Sequence, residues 1–223
     1  MLVGLIARAI TNCVLCLLLF GLPLFLGAGS LHFWNGWLFL GIFVGALLGI
    51  LLFFAFSNPG YFRKRTRIDE KEKPQRAVMA LLVVCALAML LVSGLDYRLR
   101  WSCIPTAVVA AAAFFMAGGF SIVFATMMQN SYASRVVEIQ EGQKVIDSGL
   151  YALVRHPMYL GFSIVFLVSP AVLGSLFSLI PAVFIPFVLT FRIGNEEKIL
   201  LQGLPGYDLY MKKVKCRLIP FLW

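Results

Sequence analysis

"MYLGFSIVFLVSPAVLGSLFSLIPAVFIPFVLTF", residues 158–191, is an apolar run too long for one straight crossing of a bilayer. At ~1.5 Å per residue a helix over the whole stretch would measure about 50 Å, against a hydrocarbon core of roughly 30 Å. Pro170, Gly174, Ser175, Pro181 and Pro186 interrupt it, and "SPAVLGS" (169–175) reads as a turn. The stretch therefore predicts a tight helical hairpin of two short arms that enters and leaves on one membrane face. That geometry brings the polar residues before it and after it together, although about 35 residues of sequence separate them.

The composition agrees with a membrane setting. Of 223 residues, 61% are hydrophobic and 13% charged, and the mean hydropathy is +0.92. Soluble domains carry about 25% charged residues, and one soluble core of this length could not hide so much apolar surface. Four further stretches, 3–28, 33–56, 77–95 and 103–127, are long enough to cross. Trp34, Trp37 and Trp101 fall at span edges, as an interfacial aromatic belt requires, and His32 shares that headgroup zone. The first stretch lacks a convincing small-residue cleavage site and reads as a retained span.

Charge sets the expected orientation. The net charge of +9 is carried by Lys and Arg between apolar stretches, which suits anionic lipid and not nucleic acid. The loop 61–76 holds Arg63, Lys64, Arg65, Arg67, Lys71, Lys73 and Arg76, while the loop 96–102 holds only Arg98 and Arg100. The positive-inside rule places 61–76, both termini and the polar stretch 128–157 in the cytoplasm. Cys13 and Cys16 form a C-x-x-C, but their apolar surroundings suit neither redox nor metal chemistry, and no metal site is expected.

Two polar clusters flank the hairpin. At its entrance, Pro157 suits the first turn of a helix and His156 the position before it. Arg155 adds a forked donor, and Tyr159 lies one turn on, so this end is built to receive an anion. Gly161 would let a helix or a ligand approach the backbone closely. At the exit stand Arg192, Asn195, Glu196 and Glu197. Carboxylates at membrane depth cost about 2.5–3.5 kcal/mol at a helix centre, less near the interface. They suit an ammonium, a sulfonium or ribose hydroxyls; equally, both glutamates read as solvated residues paired with Arg192 and Lys198. A zwitterion with a neighbouring positive centre satisfies both clusters, S-adenosylmethionine among others.

"GLYALVRHPMYLG" (149–161) followed by "RIGNEEKILLQGLPGYDLYMKKVKCRLIPFLW" (192–223) resembles the isoprenylcysteine carboxyl methyltransferase family and its bacterial relatives, and more distantly the phospholipid N-methyltransferases. The matching positions are Gly149, Tyr151, Arg155, His156, Pro157, Tyr159, Gly161, Glu196 and Glu197, within residues 130–223; the first 127 residues match only as spans.

The resemblance implies an all-α integral membrane fold: a multi-span helical bundle with a C-terminal hairpin and a cytoplasmic cofactor pocket. It divides the chain into four spans (1–127) and a catalytic region (128–223). S-adenosylmethionine is the implied methyl donor, held by Tyr151, Arg155, His156, Tyr159, Gly161, Glu196 and Glu197. Tyr207 and Tyr210 would close over it, or belong to an interfacial helix. A bacterial inner membrane is the implied location. The expected acceptor is a lipophilic small molecule or a prenylated one, and reaches the site from the bilayer.

Methyl transfer from a sulfonium needs positioning more than acid–base chemistry. A carboxylate acceptor needs no base, which favours it over a thiol or amine; Arg192 or Arg135 would steer it. A nicotinamide-dependent membrane reductase and a non-catalytic membrane protein are the readings from other classes. A transporter would place charge within its spans, and spans one to four have almost none. Oligomeric state is not readable from the sequence.

Overall fold

A computed structural model describes residues 2–65, 73–132 and 139–223. Its helices are α1 (Leu2–Ala28), α2 (Trp34–Ser57), α3 (Pro59–Arg65), α4 (Lys73–Leu99), α5 (Thr106–Gln129), α6 (Pro157–Val172), α7 (Leu179–Gly203) and α8 (Tyr207–Lys213), with a 3-10 turn at Gly149–Ala152. Among the described residues there are no strands. The chain is an all-α integral membrane bundle: α1, α2, α4, α5 and α7 are each long and apolar enough to cross. Large apolar side chains such as Leu26, Phe114 and Phe115 point outward, as lipid rather than water requires.

The interior is packed by aromatic and sulfur-containing side chains. Phe39, Phe43, Met89, Met116 and Phe120 join α2, α4 and α5 into one core, with Phe43 edge-on to Phe120 at 5.2 Å. The most extensive helix contact is between α5 and α6. It depends on two glycines: a Cβ on Gly161 would sit 2.7 Å from the Gly119 carbonyl oxygen, and one on Gly119 would sit 2.9 Å from that of Gly161. Without a hydrophobic drive between helices in lipid, such close backbone approach supplies the packing.

The 158–191 stretch is a hairpin, but its arms differ from the expectation. Residues 169–172 remain helical, and the turn lies at 173–178. The turn closes α6 with a Schellman motif: Gly174 adopts φ +74°, its N–H donates to Ala171 and that of Ser175 to Pro170. The first arm, of 16 residues, spans ~24 Å at 1.5 Å per residue. The second is not short. It continues unbroken through 25 residues, because "NEEKILLQ" consists largely of good helix formers. Arg192, Glu196 and Glu197 therefore lie within α7 rather than after it.

The turn is anchored at its far end by Asp96. The Ser175 hydroxyl donates to Asp96 Oδ2 at 2.6 Å, and Ser102 donates to both carboxylate oxygens through its N–H and hydroxyl at 2.7 Å each. A buried carboxylate with its acceptors filled ties the α4–α5 loop to the hairpin. This tie fixes the far end of α6 and α7 while their other ends carry the polar groups.

Candidate active site

Helix α6 starts as its sequence dictates, with Pro157 in the first helical position and His156 at the N-cap. The N–H groups of the two residues before the proline pair with the C-terminal tail. Arg155 donates to the Cys216 carbonyl and His156 to that of Arg217, both at 2.9 Å. The Arg155 guanidinium turns the same way: Nη1 donates to the carbonyls of Val214 at 2.8 Å and Lys215 at 3.2 Å. Its Nε donates to Glu197 Oε1 at 2.7 Å.

Glu197 is the hub of this layer. Oε1 faces Arg155 and, at 3.3 Å, His156 Nε2; Oε2 faces Arg217 Nε at 3.1 Å. Arg217 in turn lies over the Trp223 ring, 5.2 Å from its centroid. One buried carboxylate on α7 thus gathers groups from the mouth of α6 and from the tail. A buried charge is tolerated only when paired and hydrogen-bonded in this way.

Beside this layer opens a cleft with about 910 Å³ of empty space, its mouth included. Asn130 just past α5, residues 143–146, Tyr151, Arg155 through Tyr159, and Arg192, Glu196, Ile199 and Leu200 of α7 line it, with Leu204 just past α7 and Tyr207 and Tyr210 of α8 on another side. On its floor the Tyr159 hydroxyl donates to Glu196 Oε2 at 2.7 Å and accepts from Arg192 Nε at 2.9 Å. Arg192 Nη1 reaches on to Gln75 Oε1 of α4 at 3.1 Å. The His156 and Tyr159 rings stack, 5.6 Å between centroids. A carboxylate and a guanidinium thus share one phenol on the floor of the cleft.

The cleft is also lined by aromatic side chains. Tyr210 donates to the Tyr151 carbonyl at 2.8 Å, and Asn130 donates to the Tyr151 hydroxyl at 2.9 Å, so Tyr151 is held from α5 and α8. Burial pushes the Tyr207 phenol well above its ordinary range, with the Glu197 and Glu196 carboxylates adding to the effect. Burial, then Tyr151, does the same to Tyr210. Both remain neutral donors near pH 7. At the rim, Lys213 donates to Asp147 at 2.6 Å and holds that exposed carboxyl below its usual range.

Of the residues expected at the site, Tyr151, Arg155, His156, Tyr159, Arg192 and Glu196 line the cleft. Two do not. Gly161 faces α5, where the Gly119 backbone occupies the space a ligand would need. Glu197 is turned away into the ion-paired layer, 3% exposed, so it does not present a carboxylate to the cleft. Arg135 lies outside the described residues. Gln75, Arg217 and the 214–217 backbone were not expected there. Gln75 meets a partner 117 residues on, and the carbonyls of Val214 and Lys215 meet Arg155 from 59 and 60 residues away; no periodicity points to such contacts.

The cleft, its carboxylate–guanidinium floor and the α5–α6–α7 frame fall in one region of sequence. Residues 108–202 match the model of the isoprenylcysteine carboxyl methyltransferase family. Over these residues, less than half of the chain, the protein is similar to that family. The matched region runs from α5 through nearly all of α7 and includes every floor residue except Gln75. The match supports reading the protein as a membrane methyltransferase. No curated protein matches the chain.

Proposed function

We propose that the protein transfers a methyl group from S-adenosylmethionine to the carboxylate of a lipophilic acceptor, as in isoprenylcysteine carboxyl methylation. One observation carries the reading: Glu196 and Arg192 meet at the Tyr159 hydroxyl inside a single cleft. The acid suits the cationic and hydroxylated donor, and the guanidinium suits an anionic acceptor.

The residues present fit the donor by their chemistry. Glu196 is a partly exposed carboxylate that accepts one described hydrogen bond, from Tyr159, and so retains capacity for an ammonium or a ribose diol. Tyr207, Tyr210, Leu200 and Leu204 offer flat and apolar surface for a purine. Tyrosine faces also favour a cation such as a sulfonium. When bound, S-adenosylmethionine supplies an electrophilic methyl group. Arg155 and His156 hold the mouth of α6 against the tail, and Arg192 orients the acceptor carboxylate.

No proton need move for a carboxylate acceptor, and the one histidine lining the cleft is engaged with Glu197 and stacked on Tyr159. The work of the chain is alignment and exclusion of water. The basic segments beside the cleft favour a cytoplasmic site, which the acceptor reaches from the bilayer.

The test is to incubate membranes containing the protein with methyl-labelled S-adenosylmethionine and a lipid extract. Label is expected in a lipid-phase product from which mild alkali releases volatile methanol, as from a methyl ester. Alkali-stable lipid label would move the acceptor to a thiol or amine, and no lipid label would end the reading.

A further inference from the structure

Among the described residues, α4 contributes no side chain to the cleft lining, yet one of its residues reaches the cleft floor. Gln75 sits in the first turn of α4 and is 1% exposed. It follows a strongly charged stretch of sequence, where solvent exposure would be the ordinary outcome. Its amide meets Arg192 from both ends: Oε1 accepts from Nη1 at 3.1 Å, and Nε2 donates to the Arg192 carbonyl at 3.4 Å. A buried amide must be hydrogen-bonded to be tolerated, and this one has both functions on a single residue of α7.

The contact continues into the cleft. Arg192 Nε donates to Tyr159, which donates to Glu196. The order Gln75, Arg192, Tyr159, Glu196 therefore runs from α4 through α7 and α6 and returns to α7. A guanidinium is a rigid planar fork, so holding Nη1 also sets the direction of Nε.

We infer that Gln75 is the positioning residue for Arg192, and through Tyr159 for Glu196. This rests on the reading of the cleft as the methyl-donor site. Gln75 touches neither reactant; it fixes the direction of the groups that do. A rise in side-chain mobility at Arg192 would loosen Glu196 without removing either charge.

The experiment measures equilibrium binding of S-adenosylmethionine to the full chain in detergent, with the thermal midpoint recorded alongside. Gln75→Leu keeps the volume and removes the acceptor, so donor affinity should fall about tenfold. Gln75→Glu keeps an oxygen for Nη1 and should stay within about threefold of the parent. In the Arg192→Gln background, Gln75→Leu should cost nothing further, because the loss acts through Arg192. Gln75→Asn keeps the amide but shortens its reach by a methylene; it replaces Gln75→Leu in the comparison if that variant does not fold, with the same tenfold loss expected.

Parental affinity in Gln75→Leu, equal losses in Gln75→Leu and Gln75→Glu, or losses that multiply with Arg192→Gln would overturn the assignment. A parent chain that binds no donor would fail the reading of the cleft first, and the role of Gln75 with it.

Discussion

Arg155 Nε and Glu197 Oε1 meet at 2.7 Å, with the two side chains 5% and 4% exposed. This pair fastens the mouth of α6 to α7, and the tail closes over it through Arg217. Removing one partner of a buried pair leaves the other charge uncompensated, at about 3–5 kcal/mol. Glu197→Gln is therefore expected to lower the thermal midpoint in detergent sharply. An unchanged midpoint would mean that the pair does not hold α6 to α7.

The neighbouring Glu196 behaves differently. It faces the cleft and is partly exposed, and glutamine there can still accept from Tyr159. Glu196→Gln should keep the parental midpoint. Donor affinity should fall roughly ten- to a hundredfold, the worth of a charge-assisted contact of about 1.5–3 kcal/mol. Parental affinity would show that Glu196 is only a solvated surface carboxylate.

Gly161 tests the packing beneath the site. An alanine Cβ there meets the Gly119 carbonyl oxygen at 2.7 Å and Val123 Cγ2 at 2.8 Å, and backbone cannot yield cheaply. Gly161→Ala should destabilise by about 1–3 kcal/mol. Gly118→Ala, whose Cβ would meet nothing within 4 Å, should be neutral or slightly stabilising. Thermal melts of the two variants side by side decide the matter.

Tyr210 gives a pH-dependent expectation. Its folded-state phenol is raised above the ordinary value of about 10 by burial. The unfolded chain then ionises first, so stability present below pH ~10 is lost as pH rises beyond it. Tyr210→Phe should lower stability at neutral pH by about 0.5–1.5 kcal/mol through the lost bond to Tyr151. It should also make the alkaline decline shallower. Melts from pH 7 to 11 measure both effects.

The hairpin was legible because length and proline spacing forbid one straight span. The cleft residues Arg155, His156, Tyr159 and Glu196 were legible because polar groups at both mouths of a hairpin must meet. What the sequence hid was register. Successive residues on a helix point about 100° apart, so Glu196 and Glu197 can share a face of function only if the helix has ended. With α7 continuing to Gly203, one glutamate turns to the cleft and the other to Arg155. Gln75 was hidden because its partner lies 117 residues on, behind a charged stretch that reads as solvent-facing. The tail's part was hidden for another reason: it offers backbone carbonyls, which every residue has.

Whether the α6–α7–α8 cleft binds a methyl donor is decided by direct binding. Labelled S-adenosylmethionine is equilibrated with the purified full chain in detergent, with and without excess NADPH, beside Glu196→Gln. Saturable binding to the parent, no displacement by NADPH, and a roughly ten- to hundredfold weaker Glu196→Gln complex are expected. No binding by the parent, or displacement by NADPH, would contradict the methyl-donor reading.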